Sequence, residues 1–86
     1  MLQFIDLDEK DIRNFKQQVA LNVKNIRVLK GVSQAELAQT IGHKSMSTIG
    51  KIEAGLENKH YNLEQLYKIS VALDVNICEF FTSKHT

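Results

Sequence analysis

Three histidines, one cysteine and ten carboxylates are the side chains with catalytic or metal-ligating chemistry, and their spacing supports neither role. His43, His60 and His85 are scattered, without the short intervals of a metal-binding pair, and read as surface residues. Cys78 is alone, which excludes an intramolecular disulfide and a multi-cysteine zinc site; with no basic neighbour to activate it, it reads as a small hydrophobe. No Ser/His/Asp or Cys/His constellation, paired carboxylates or phosphate loop is present, so an enzyme is not expected. What remains is binding chemistry, concentrated in the middle of the chain. Residues 24–60 carry Lys24, Arg27, Lys30, Lys44, Lys51 and Lys59 against Glu36, Glu53 and Glu57, a net of +3 in a chain whose total is +1. The flanks, 1–23 and 61–86, are each at −1. That asymmetry permits a surface for a polyanion.

These donors must be positioned by a small scaffold. Eighty-six residues, 43% hydrophobic and 24% charged, make one globular domain with a modest core. No apolar run approaches the roughly 18 residues of a membrane span, and the first residues lack a signal-peptide layout. The expectation is a cytoplasmic domain with no cofactor, no metal and no membrane contact.

Apolar residues recur at helical spacing throughout, and nothing alternates with period two. Residues 1–7 read as a short arm. Ile12, Phe15, Val19, Val23 and Ile26 form the stripe of a first helix over 8–30, acidic at its start and stopped by Gly31. Ser33 and Glu36 form a capping box that opens a second helix, 33–41, burying Leu37, Ala38 and Ile41. Ser45 caps a third, 45–54, holding Ile49 and Ile52 and ended by Gly55. Asn62 caps a fourth, 62–74, with Leu63, Leu66, Ile69, Ala72 and Leu73 in register. Asn76 and Glu79 predict a short fifth, 76–81, followed by a frayed tail, 82–86. The class is all-α.

The second and third helices are short and joined by a tight turn, the layout of a helix-turn-helix. Ala38 is small where two helices cross closely, Gly42 supplies the positive φ of the turn, and Ile49 pins the following helix to the core. The run Gln34-Ala35-Glu36-Leu37-Ala38-Gln39-Thr40-Ile41-Gly42, followed by Ile49-Gly50-Lys51-Ile52-Glu53-Ala54-Gly55, resembles the Cro and lambda-repressor-like helix-turn-helix family of bacterial and phage regulators. Leu66 to Phe81 is similar to that family's fourth and fifth helices. The resemblance spans about Val23 to Phe81 and implies a compact five-helix domain, here with an N-terminally extended first helix. It leans slightly toward restriction–modification controller proteins. The turn, His43-Lys44-Ser45, is one residue longer than is usual in the family, and no Arg, Asn or Gln precedes Glu53 in the third helix.

With Ile49 facing the core and about 100° per residue, Ser47, Lys51 and Ala54 point away from it, Thr48 and Gly50 flank them, and Met46 is lateral. The resemblance then assigns base reading to Met46, Ser47 and Lys51: Lys51 toward guanine, Ser47 toward either edge, Met46 toward a thymine methyl. It assigns phosphate contact to Gln34 at the start of the second helix, with Lys44, Thr48, Asn58 and Lys59 as further candidates. Arg27 and Glu53 match positions that pair between the first and third helices. Val75, Ile77, Phe80 and Phe81 are the expected dimer surface. The function implied is a sequence-specific transcriptional regulator, repressor or controller type, reading a palindromic double-stranded operator as a homodimer. The alternative is an antitoxin-like protein-interaction module that keeps the fold and holds a toxin or a polymerase subunit.

Overall fold

The computed structural model describes residues 5–42 and 46–82. The expected cap Ser45, the turn residues His43 and Lys44, residues 1–4 of the arm and residues 83–86 with His85 lie outside them. Four α-helices follow in order: α1 (Glu9–Leu29), α2 (Gln34–Thr40), α3 (Met46–Ala54) and α4 (Leu63–Leu73). The expected fifth α-helix is instead a 3-10 helix, Ile77–Phe81. Five residues are too few to propagate an α-helix, and the tighter coil serves for so short a piece.

Local chemistry sets the boundaries. The Asp8 carboxylate accepts from the Lys10 backbone N–H at the start of α1. Ser33 and Glu36 form a reciprocal capping box on α2, and Asn62 and Gln65 form a second one on α4. Both satisfy backbone donors that a helix start leaves orphaned. Gly42 adopts φ +79° at the end of α2, a conformation that would strain any other residue in the turn. Asp74 takes the corresponding left-handed position after α4 with φ +55°; a short polar side chain tolerates it.

The core lies where the four helices and the 3-10 helix meet. Val23, Leu37, Ile49, Ile69 and Phe80 are its fully enclosed apolar side chains. Each contributes about 1.5–3 kcal/mol of apolar burial. α2 packs on α3 and α4, α1 packs on α3 and on the 3-10 helix, and the latter also touches α4. Asn22, fully buried in α1, ties the end of the chain down. Its Nδ2 donates to the carbonyls of Phe80 at 2.9 Å and Thr82 at 2.7 Å, and its Oδ1 accepts from Gln18 Nε2 at 2.9 Å. The expected frayed tail is therefore held at its first residue.

The apolar stripes overreach the core at two places. Ile12 and Phe15 belong to the α1 stripe but are 44% and 57% exposed, because that end of α1 runs past the elements it would pack on. Leu63 and Ala72 likewise face outward on α4, whose buried side is Leu66, Ile69, Ser70 and Leu73.

Candidate nucleic-acid interface

α3 is held by its apolar side and by a polar clamp. Ile49 and Ile52 are buried, the first completely. One turn on from Ile49, Glu53 receives both arms of a fork from Arg27 of α1: Nε to Oε2 at 2.7 Å and Nη2 to Oε1 at 2.9 Å. The third guanidinium nitrogen, Nη1, donates to the Val32 carbonyl at 2.7 Å, beside the start of α2. Gln34 of α2 completes the clamp, donating through Nε2 to Glu53 Oε1 at 2.9 Å. One carboxylate thus joins α1, α2 and α3, with Arg27 and Glu53 side chains only 10% and 3% exposed. The planar fork of arginine suits such a site, since it donates in fixed directions. The Arg27–Glu53 pair was legible in the sequence; the Gln34 link was not, since Gln34 reads from sequence as an outward donor. Its side chain instead folds over α3, where its Oε1 lies 3.7 Å from the position a Cβ would occupy at Gly50.

With one face bound to the core, the rest of α3 is open. Met46, Ser47 and Ala54 are exposed, while Thr48, Gly50 and Lys51 are half-buried at its margins. Ser47, Ala54, Thr48 and Gly50 stand as expected from Ile49 as the inward residue, whereas Lys51, expected to point outward, is half-buried and Met46, expected at the side, is exposed. Lys51 has an ion-pair partner not anticipated from the sequence, Glu57, with Nζ to Oε2 at 3.0 Å, the lysine side chain partly and the glutamate more fully open to solvent. Hydrogen bonding and then the charge of Lys51 hold the Glu57 carboxyl below its ordinary range. Exposed pairs of this kind are weak and readily exchanged.

α3 ends at a left-handed Gly55, φ +71°, with the Leu56 N–H bonded to the Lys51 carbonyl at 2.9 Å and the Gly55 N–H to that of Ile52 at 3.1 Å. This motif uses two of the carbonyls that the helix end would otherwise leave open. A Cβ at Gly55 would also meet Gln17 Nε2 at 3.1 Å, so α1 approaches closely there. The next turn carries Glu57 and Asn58 in left-handed conformations, φ +56° and +53°, and leaves Asn58 and Lys59 exposed. Lys44, the remaining phosphate candidate, lies outside the described residues.

Of the four residues expected at a dimer surface, Phe80 does not belong there. It is 0% exposed and fills the core beneath the 3-10 helix. A neighbouring pair of aromatics on a tight helix cannot face the same way, and its partner Phe81 is the outward one, 42% exposed. Val75 and Ile77 are partly buried against the core rim. Sequence reasoning also missed Tyr61, which lies buried near the Arg27–Glu53 pair. Burial first, and the Glu53 charge second, push its phenol well above the usual range. Its alternating polar surroundings, Lys59-His60 before and Asn62 after, gave no periodic signal of burial.

Among the described residues, no group of three or more His, Cys, Asp or Glu side chains could hold a metal ion, and no helix is long and apolar enough to cross a membrane. The geometry is that of two short helices, one braced by the other, presenting a polar face.

A family model described as helix-turn-helix matches residues 23–80. No curated protein matches the chain. Among solved structures, it is similar to the restriction-modification controller protein C.AhdI from Aeromonas hydrophila, with 30% identity and a TM-score of 0.63 over 74% of this chain and 92% of that one. The segment matched by the family model contains the braced helix pair and begins at Val23, within α1. The chain therefore belongs to the Cro and lambda-repressor-like helix-turn-helix family of DNA-binding, non-catalytic regulatory domains.

Proposed function

We propose that the protein is a sequence-specific regulator of transcription, of repressor or controller type, which binds a palindromic operator as a homodimer. The observation that carries this reading is the braced α3: clamped by Glu53 to α1 and α2, it offers Met46 and Ser47 on its open face, with Lys51 at the margin. A helix so held can enter a major groove with little loss of conformational freedom. Lys51 leaves Glu57 for guanine O6 or N7, Ser47 meets a base edge and Met46 packs on a thymine methyl. Phosphates are met by the start of α2, where Gln34 keeps one amide hydrogen beyond its bond to Glu53, by Thr48, by Lys44 in the turn and by Asn58 and Lys59. Phe81, with Val75 and Ile77 at its side, forms the surface for the second copy. The relative with 30% identity is itself a restriction-modification controller protein, which supports the controller type.

The test is selection of random duplexes on the purified protein at about 50 and 200 mM salt, with Lys51→Ala in parallel. The expected result is a palindrome with half-sites about 34 Å apart that survives the higher salt. Lys51→Ala should lose about 1–3 kcal/mol of discrimination at one position. Binding that is blind to sequence and vanishes at the higher salt would overturn the reading in favour of a protein-interaction module.

A further inference from the structure

Beside α3, and built from none of its base-facing residues, a hollow of about 500 Å³ opens between α1 and the turn that follows α3. Arg13, Lys16 and Gln17 reach it from the N-terminal half of α1; Asn58, Lys59 and His60 reach it from the turn. Ala20 and Ile52, both buried, form its floor. Among the described residues, no carboxylate lines it and none forms an ion pair with Arg13, Lys16 or Lys59. Two acids stand at its edge. Glu57 pairs with Lys51 and also feels the charge of Lys59. Glu9, one turn before Arg13, lines a smaller adjoining hollow of about 220 Å³ together with Arg13, Lys16 and Asn58. The helix end at Gly55 would repel an anion through its open carbonyls, but those of Lys51 and Ile52 are already bonded.

Three permanent cations from two segments far apart in sequence therefore converge without an ion-pair partner among the described residues, together with an imidazole and two amides. Like charges held in one hollow repel each other, and the arrangement is relieved by an anion with several acceptor oxygens. A phosphate group fits: Arg13 can donate to two of its oxygens at once, while the lysines act as point charges.

We infer that this hollow is a phosphate site, and that in the bound regulator its phosphate is one of the duplex backbone beyond the bases read by α3. The identification of the source rests on the DNA-binding reading above; the phosphate chemistry rests on the hollow alone. Two observations favour the backbone over a small ligand. The lining is polar, whereas pockets for small molecules are mostly apolar. Asn58 and Lys59 also lie within about one turn's length of chain past the end of α3 at Ala54, so a strand tracked past that helix reaches the hollow next. Arg13, Lys16 and Gln17 lie outside the family match at 23–80. The lengthened α1 thus gives this chain a wider footprint on DNA.

The experiment uses the whole chain and the variant Arg13→Gln/Lys16→Gln, which alters no buried side chain and none of the residues assigned to base reading. Operator affinity is measured across about 50–200 mM salt on duplexes with long and with trimmed flanks. The wild type should lose about tenfold on trimming, and the variant nothing further. The variant's dependence of log K on log salt should be shallower by about 1–2 per protomer. In a second arm, pyrophosphate is added to the DNA-free protein and backbone amide NMR shifts are followed. Saturable shifts at residues 13, 16, 59 and 60, lost in the variant, with no difference on DNA, would keep the phosphate site but make its source a free phosphate-bearing molecule. No effect in either arm would overturn the inference. A wild type that selects no duplex would sink the DNA-binding reading alone, since the pyrophosphate arm still reports on the hollow.

Discussion

Between Val19 and Arg27, α1 buries six side chains; between Glu9 and Gln18 it buries none. The two stretches are turns of one helix with a continuous apolar stripe, yet they are held by different forces. The C-terminal half is part of the core, fixed by Val19, Val23 and Ile26 and by the polar anchors Asn22 and Arg27. The N-terminal half is an extension of a helix already nucleated, where each added residue gains a backbone bond at modest cost. Asp8, Glu9 and Asp11 at its start suit the positive end of the helix dipole. The half that is not needed for the fold is the half free to acquire another role, and it is there that Arg13 and Lys16 stand.

The buried half is broken most severely at its charged anchor. Glu53→Ala leaves the Arg27 guanidinium enclosed without its counter-charge, and also strands the Gln34 amide. The expected loss is about 3–5 kcal/mol, read from urea unfolding. Replacing the pair together, Arg27→Met with Glu53→Leu, should recover most of that, because two apolar side chains need no solvation. If the single variant lost less than about 1 kcal/mol, the clamp could not be what braces α3.

Caps sharpen the contrast at a smaller scale. Ser33→Ala removes the cap of α2, a helix in the core, and should cost about 1 kcal/mol of global stability. Asp8→Ala removes the cap of the overhang and should leave global unfolding unchanged, while amide exchange quickens over residues 9–15. The α2 cap also carries a pH signature. Hydrogen bonds from the Ser33 backbone first, and from its side chain second, hold the Glu36 carboxyl below its ordinary 4.5. A group depressed in the folded state stabilises fully above its unfolded value and ceases to do so as pH falls through the folded one. The stability gap between wild type and Glu36→Gln should therefore persist above about pH 4.5 and close below it. A gap unchanged through that range would remove Glu36 from the box.

What was legible in the sequence is what short-range chemistry controls. The Ser33–Glu36 box, the inward Leu37, Ala38, Ile49 and Ile52, and the Gly42 turn are all specified within a few residues. The inward face of α3 follows from helical geometry, so the exposure of Ser47 and Ala54 could be read from it; Met46, expected at the side, is exposed, and Lys51, expected outward, is half-buried. Contacts made across the chain could not. Asn22 bonds to carbonyls 58 and 60 residues away, and nothing in its own neighbourhood announces that. The choice between Phe80 and Phe81 as the buried ring depends on the 3-10 geometry of a segment read from its caps as α-helix. Glu57 reaches Lys51 only because the turn after α3 holds two left-handed residues, neither of them glycine. Periodicity identifies a face; it does not say whether anything lies opposite.

Ile12 isolates that last point with the smallest expected effect. By sequence it belongs to the same stripe as Val23 and Ile26, and a reading by periodicity alone would give its removal the cost of a core truncation. In the structure it stands on the overhang, nearly half exposed. Ile12→Ala should then change stability by no more than about 0.5 kcal/mol, with the better helix propensity of alanine offsetting the little burial lost. Thermal unfolding at two protein concentrations gives the reading its edge. A loss above about 1 kcal/mol at both concentrations would mean that the overhang is packed within its own chain. A loss that appears only at the higher concentration would mean that a second copy covers this face, because association stabilises by mass action. No loss at either leaves the apolar side of α1 uncovered, and the overhang's contribution then rests on Arg13 and Lys16 rather than on its hydrophobic residues.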